Sequence, residues 1–431
     1  MDLSAYTKLF TELYGKENAA DNSKRYELLA AEYGKVFSNT EKNPELPRFF
    51  SSPGRTEIGG NHTDHNLGKV LAASIQLDCI AAVLPNDTKK IVIHDISFNE
   101  DYTIDTEDTS PQAGEKGSPA LIKGICEYLK LSGWKVSGFN ACISSNIPTG
   151  AGLSSSAAFE MLLGTIVSCL FNNAKIPVCR LAEAGQFAEN HYWNKASGLL
   201  DQNACGTGGL ISIDFKNPNQ PEVEPVPFDF EKQNYSLFII DTLSSHENLS
   251  EEYSAIPGEM EKAAAYFGKN ALREVSEELL IMNAASVRKY AGDRAFLRAL
   301  HFFEENKRVD EEKKALEAGN FQEFLSVVEK SGSSSWRLLQ NVCIPGSTES
   351  QPMAFCLALT EYFINARTDK AHKAVCRIHG GGFAGVIQAF IPDRYADEYE
   401  AFMKDALKAD YNPVYRIKIR KYGAIELKPV K

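Results

Sequence analysis

Four short stretches of the chain carry side chains and backbone patterns that chemistry could use. Between Pro53 and Asn66 it reads PGRTEIGGNHTDHN, which crowds Arg55, Asn61, His62, Asp64 and His65 into one Gly-rich polar run. Alternating donors and acceptors suit a polyhydroxyl ligand, because a buried hydroxyl left unmatched costs about 1–3 kcal/mol. His62 and His65 with Asp64 between them could instead ligate a metal, but no distant His or Cys pair completes such a set. The second stretch, Pro148 to Ser156, reads PTGAGLSSS between an apolar strand-like segment and an apolar helical one. A Gly-rich turn that opens a helix offers backbone N–H groups and the positive dipole end to a phosphate. Its serines add hydroxyls for phosphate oxygens or Mg²⁺; an ordinary serine-capped helix is the plainer reading. No Gly-Lys is followed by Ser or Thr, so this is not a Walker-type loop.

The third stretch, Gly380-Gly381-Gly382-Phe383-Ala384-Gly385, lies between apolar segments. So many glycines together mean backbone that another segment or a ligand approaches closely, or simply a tight β-turn. With His379 in front it could pass for the oxyanion loop of a lipase-like hydrolase, yet the chain contains no Gly-x-Ser-x-Gly elbow. The fourth is Gly198-Leu199-Leu200-Asp201-Gln202, an acid at a turn after a helix, for which a solvated or capping Asp is the default.

The elements that must position these stretches alternate in type. Helical spacing recurs in Tyr6, Leu9, Phe10, Leu13 and Tyr14 and again in Tyr26, Leu29, Tyr33 and Phe37. A segment with Pro44, Pro47 and Pro53 then delivers the chain into the first stretch, which reads as a site loop rather than a strand. Val70–Ile75, Cys79–Leu84 and Ile91–Ile93 read as buried strands, and Phe139–Ile143 as another. Helices are expected from about Ala157 to Phe171 and from Val178 to Tyr192, and a helix-rich region from Glu251 to Glu329. The Gly-rich stretch sits inside a strand–glycine–strand passage near Val375–Ala389, and a basic strand follows near Tyr415–Ile419. The proline-rich KNPNQPEVEPVPFD after Phe215 is the best candidate for a domain junction. Mixed elements in both halves give an α+β class.

At 431 residues the chain has room for two or three domains. With 46 basic against 57 acidic residues its formal charge is −11, which argues against coating nucleic acid or an anionic membrane. The nine cysteines form no CxxC and lie mostly in apolar runs, so reduced, buried thiols in a cytoplasmic protein are expected. The start, Met1-Asp2-Leu3, lacks a basic region followed by an apolar core, so no signal peptide is expected, and no apolar stretch approaches a membrane span.

Each stretch alone is a weak signal; together and in this order they resemble the GHMP kinases, and among them the galactokinase family. PGRTEIGGNHTDHN is similar to the galactokinase signature Pro-Gly-Arg-x-Asn-Leu-Ile-Gly-Glu-His-Thr-Asp-Tyr-Asn. IPTGAGLSSSAA resembles the family's phosphate loop, IHGGGFAG its third motif, and SGLLDQ the Gly-Ile-Met-Asp-Gln that bears its catalytic Asp. The resemblance spans about residues 45 to 390. It implies a fold of two α+β domains with the active site in the cleft between them, here 1–222 and 223–431. It also implies transfer of the γ-phosphoryl of ATP to the anomeric hydroxyl of galactose or a galactose-like sugar. Asp201 matches the catalytic Asp and Arg55 its partner. Asn61, His62, Asp64, Gly198 and Tyr253 match sugar-contacting positions. Gly150, Gly152, Leu153, Ser154, Ser155 and Ser156, with Gly381 and Gly382, match nucleotide-binding ones. Ser155 and Glu189, the latter in Ala-Glu-Asn like the family's Ala-Glu-His, would hold Mg²⁺. The implied partners are a small sugar and a nucleotide, without nucleic acid or membrane, on a monomer or homodimer.

Three departures stand out. Asn61 replaces a Glu that contacts the sugar C6 hydroxyl, and His65 replaces a Tyr. Losing that carboxylate would admit a C6 carboxylate, and so galacturonate, as an alternative substrate. Ser118 to Gly124 lacks the aromatics that hold adenine in the family, leaving nucleotide preference open. His379 stands where the third motif commonly has Thr. A further alternative is a catalytically silent, galactokinase-like sugar sensor; Asp201, Arg55, Glu189 and the unbroken serine run favour catalysis.

Overall fold

The structure, a computed structural model, describes residues 3–37, 46–112, 114–195, 197–244, 249–369 and 371–429. Pro44 and Met1-Asp2 lie outside the described residues.

Twelve strands form two sheets among the described residues: β1 Arg48–Gly59, β2 Lys69–Pro85, β3 Lys90–Asp95, β4 Glu100–Asp105, β5 Phe139–Ser145, β6 Leu210–Asp214, β7 Glu222–Val226, β8 Tyr235–Asp241, β9 Val375–His379, β10 Val386–Pro392, β11 Val414–Ile417 and β12 Ile425–Leu427. The first sheet runs β12-β1-β2-β5-β3-β4, with β6 also on β2 and β7 on β6; the second runs β11-β8-β10-β9. Helices pack against both sheets, a mixed α and β architecture.

Two segments read as separate strands are one. β2 continues from Lys69 to Pro85, because β1 pairs along its length while β6 covers its first half and β5 its second. Gln76-Leu77-Asp78 does not break it: Asp78 is buried and its charge is met by Arg25 and Arg420. The polar signature is likewise not all loop. Pro53 to Gly59 belongs to β1, with irregular register between Pro53 and Arg55 and again between Glu57 and Gly59. A strand can hold Thr56 and Glu57 in the interior because β9 and β10 supply their partners: Gln388 Nε2 donates to Thr56 Oγ1 at 3.0 Å, and Arg377 pairs with Glu57.

The N-terminal helices Thr7–Tyr14 and Ala19–Phe37 form as their apolar spacing predicts and lay Phe10 and Tyr26 against Phe49 of β1. In β10 the pleat divides its side chains between two cores. Val386 and Phe390 join a large cluster shared with the first sheet, while Ile387, Ala389 and Ile391 face helices Pro352–Arg367 and Asp393–Leu407. The chain's last strand returns to the first sheet, where Leu427 pairs with Phe49. Residues 222 and 223 fall at the start of β7, which extends the first sheet from within the proline-rich stretch.

All nine cysteines are free. Cys179 and Cys343 are exposed, contrary to the expectation of burial, because each lies on a polar loop or helix edge rather than in an apolar run. No helix among the described residues is long and apolar enough to cross a membrane.

Candidate active site

Asp201 lies in the first turn of helix Leu200–Thr207, where the helix dipole favours a carboxylate. Arg55 reaches it from β1 as a fork: Nε donates to Oδ1 and Nη2 to Oδ2, each at 2.7 Å. The third guanidinium nitrogen donates to the Gly152 carbonyl, and the Arg55 N–H to the Leu153 carbonyl at 3.1 Å, so strand and glycine loop are locked together. Burial works against the Arg55 charge, but the Asp201 carboxylate outweighs it and holds the guanidinium pKa above its ordinary value. Asp201 keeps an open side, its side chain being 34% exposed.

The loop reaches this geometry through left-handed backbone at Gly150 (φ +79°), Gly152 (φ +62°) and, unusually, Ser154 (φ +60°). Ser154 sits at the cap position of helix Ser155–Phe171, yet its hydroxyl bonds no helix N–H and donates to Asp201 instead. The plain reading of a serine-capped helix therefore fails here. That helix start stays available to an anion beside the acid.

Two residues further, Ser156 Oγ donates to Glu189 Oε1 at 3.1 Å, and Lys195 pairs with the same carboxylate. Ser155, the residue expected beside Glu189, makes no such bond; Ser156 is the one turned toward it. Gln202 Nε2 donates to Glu160 at 2.9 Å and to Glu189 at 3.4 Å. Burial and then the neighbouring Glu189 push the Glu160 carboxyl well above its usual range.

Beyond Asp201 the cleft opens to about 500 Å³ between the two sheets. His62 donates from Nε2 to the Gly381 carbonyl at 2.8 Å, which leaves Nδ1 as a buried acceptor with no protein partner. Burial, then His65, lowers the His62 pKa to about 3, so the ring stays neutral. Tyr253 stands over it with ring centroids 5.4 Å apart, and a Cβ on Gly381 would come within 2.4 Å of the Tyr253 ring. That contact is the close approach the glycine run implied. Asp64 and Gly198 face one another across the cleft mouth, a Gly198 Cβ lying 3.8 Å from Asp64 Oδ2. Among the described residues no group of three or more His, Cys, Asp or Glu could hold a metal, so the His62–Asp64–His65 alternative has no support.

The structure brings Arg55, His62, Asp64, Gly152, Glu189, Gly198, Asp201, Tyr253, Gly381 and Gly382 to this one cleft. Asn61 is not among them. Its amide is spent inside the protein: Nδ2 donates to Glu57 at 3.2 Å and to the Gly380 carbonyl at 2.6 Å, and Oδ1 accepts from Asn341 at 3.0 Å. Burial to 1% exposure places it beneath the cleft floor, not on its wall. Gly381 and Gly382, expected at the nucleotide, sit beside Tyr253 and Asn341. The wall residue that sequence reading missed is Glu57, which lines the cleft and uses Oε1 for Asn61 and Arg377. The signal was in the signature: Glu57 stands where the family has Asn, and Asn61 where it has Glu. A larger hollow of about 690 Å³, bordered by Glu17, Tyr235 and Arg416, shares no residue with this cleft.

Similarity to known proteins follows the same lines. The galactokinase galactose-binding signature matches residues 31–85, and the GHMP kinase N-terminal domain matches 120–209. The chain is 30% identical over 357 residues to a galactokinase of Glaesserella parasuis, covering 82% of this chain and 86% of that protein. A galactokinase of Lactococcus lactis is 30% identical over 73% of this chain and 78% of its own length. The crystal structure of a Lactococcus lactis galactokinase complexed with galactose superposes with a TM-score of 0.76 at 26% identity, over 92% of this chain and 98% of that one. A mevalonate kinase shares the fold alone, with a TM-score of 0.58 at 16% identity over 86% and 98% of the two chains.

Proposed function

The chain belongs to the galactokinase family of GHMP kinases and is a sugar kinase, and on that premise we propose that it transfers the γ-phosphoryl group of ATP to the anomeric hydroxyl of galactose. The observation that carries this reading is Asp201, held by Arg55 and Ser154 at the phosphate loop with one side open to the cleft. Phosphoryl transfer needs in-line placement and charge neutralisation more than covalent help. The sugar O1–Pγ bond forms as the bond from Pγ to the β-phosphate oxygen breaks, and ADP leaves with that electron pair. Asp201 accepts the anomeric proton, while the Arg55 fork fixes the direction of its carboxylate. His62 Nδ1 and Asp64 offer acceptors to ring hydroxyls.

Glu189 and the Ser156 hydroxyl are the donor pair that fits Mg²⁺, a hard cation that takes one carboxylate and completes its shell with phosphate oxygens and water. Lys195 now pairs with that carboxylate, its side chain half-exposed. When bound, the ion would neutralise phosphate charge.

Galactose is favoured over galacturonate by Glu57. Position 61 lacks the carboxylate that would repel a uronic acid, but the Glu57 carboxylate lines the cleft four residues earlier, bonded to that same Asn61. A sugar carboxylate would meet it with repulsion. Coupled ADP release on galactose, galacturonate and mevalonate tests the proposal. Turnover is expected on galactose, with galacturonate at least about tenfold poorer, and Glu57→Gln should narrow that gap. Galacturonate turned over better than galactose would reverse the assignment, and galactose bound without ADP release would make the chain a sensor.

A further inference from the structure

His379 ends β9 and is only 2% exposed, yet it lines the cleft. Its two ring nitrogens are in opposite situations. The Glu57 backbone N–H donates to Nε2 at 3.0 Å, and Thr56 Oγ1 lies 3.0 Å from the same atom. A backbone amide can only donate, so Nε2 carries the lone pair, and in the neutral ring the proton sits on Nδ1. Burial first, then Arg55 and Arg377, hold the His379 pKa well below its ordinary value, so the ring is neutral. Nδ1–H therefore exists as a donor, and it has no partner in the protein. It is the ring nitrogen turned to the phosphate loop: a Cβ placed on Gly152 would lie 3.6 Å from it. The loop's own acceptor there, the Gly152 carbonyl, is already taken by Arg55.

A buried donor left unpaired is costly, and native proteins rarely keep one without use. Here the strand amide of Glu57 fixes the tautomer that creates it. Its position, between the glycine loop and the acid's partner Arg55, is where an oxygen of a phosphoryl group passing from nucleotide to sugar would lie.

We propose that His379 is a catalytic residue of this kinase: its Nδ1–H donates a hydrogen bond to an oxygen of the transferring phosphoryl group. The inference rests on the kinase reading above. A neutral donor at this point adds no charge to repel Arg55 and loses no proton in the step; the sugar proton still goes to Asp201. Because the phosphoryl oxygens move toward the acceptor during transfer, the bond serves the transition state more than the bound nucleotide, and kcat should feel its loss more than either KM.

Two isosteric substitutions separate this role from a structural one. In His379→Asn the amide nitrogen stands near the place of Nδ1, but nothing accepts the Glu57 N–H. In His379→Gln the amide end stands near Nε2 and can accept that N–H, but no donor faces Gly152. ADP release on galactose and thermal unfolding are measured for both and for the wild type. The expectation is that His379→Gln loses about 30-fold in kcat with both KM values within threefold and its melting temperature near wild type. His379→Asn is expected to recover most of that kcat while melting several degrees lower. The proposal is overturned if His379→Gln keeps wild-type kcat, if the loss appears in KM alone, or if activity in the two variants simply follows their melting temperatures. A wild type that releases no ADP on any sugar would instead defeat the kinase reading itself.

Discussion

Two Arg–Asp clusters, one open to the cleft and one buried, do opposite work. At the cleft, Asp201 takes the Arg55 fork and the Ser154 hydroxyl and remains 34% exposed. Behind it, in the middle of β2, Asp78 is wholly enclosed. Arg25 donates to its Oδ1 at 2.8 Å, while Arg420 at 3.1 Å, Tyr14 at 2.6 Å and Ser51 at 2.5 Å crowd Oδ2. Burial pushes the Tyr14 hydroxyl pKa well up, with Asp78 adding to it, so Tyr14 is a firm donor. Charge pairing is common to both clusters. What separates them is the side left open: Asp78 has no direction from which a substrate could come, and Asp201 has one. The Asp78 cluster ties the N-terminal helices, β2 and the C-terminal segment into one body, which is a structural role.

The comparison breaks most sharply on activity. Asp201→Asn should lower kcat by about 10³-fold, or about 4 kcal/mol of barrier, with the melting temperature hardly moved. Steady-state ADP release and a thermal melt read both at once, and a full loss of stability instead would make Asp201 as structural as Asp78. The mirror experiment is Asp78→Asn, which leaves the buried Arg420 and the part-exposed Arg25 without their carboxylate and should cost about 3 kcal/mol of unfolding free energy. Denaturant titration measures that cost, and kcat per folded molecule is expected to stay within twofold.

A third carboxylate sharpens the contrast, because it has no charge partner in contact at all. Both oxygens of Glu312 are buried without a hydrogen bond, one of them where a Cβ on Gly59 would fall, and burial, then Glu305, raises its pKa well above 4.5. The folded state keeps this proton after the unfolded chain has released it. Its contribution to stability is thus fully present below about pH 4.5 and is lost as pH rises toward the folded pKa, at up to about 1.4 kcal/mol per pH unit. Glu312→Gln should remove that slope, so the variant gains on the wild type as unfolding is measured from pH 5.5 to 7.5. A difference independent of pH would mean that Glu312 is ionised in the fold.

Much of this was legible in the linear chain. The helices before residue 38 and the strand-turn-helix of the phosphate loop follow from spacing and composition, which are local properties, while Arg55, His62, Asp64, Glu189 and Asp201 are picked out by the resemblance of their motifs to the family's. The failures share a cause. Pro53 to Gly59 looks like loop because its polar side chains need partners, and those partners come from β9 and β10, more than 300 residues away. Asn61 was assigned to the sugar by its place in a signature, whereas the amide is consumed by Glu57, Gly380 and Asn341. Ser155 and Ser156 are adjacent in sequence, and the angle at which the helix leaves the left-handed Ser154 chooses between them.

By itself the sequence determined the class of fold, the family and the acid that sits at the phosphate loop, since each depends on short runs whose chemistry is complete within a few residues. Tertiary structure alone decided which polar groups are spent and which are left over. Glu57 reaches the cleft while Asn61 does not, and His379 presents a proton on Nδ1 because a strand amide claims Nε2. The physical reason is that hydrogen-bond capacity is settled between segments distant in the chain. A residue's type gives its donors and acceptors; only the fold shows which of them still lack a partner.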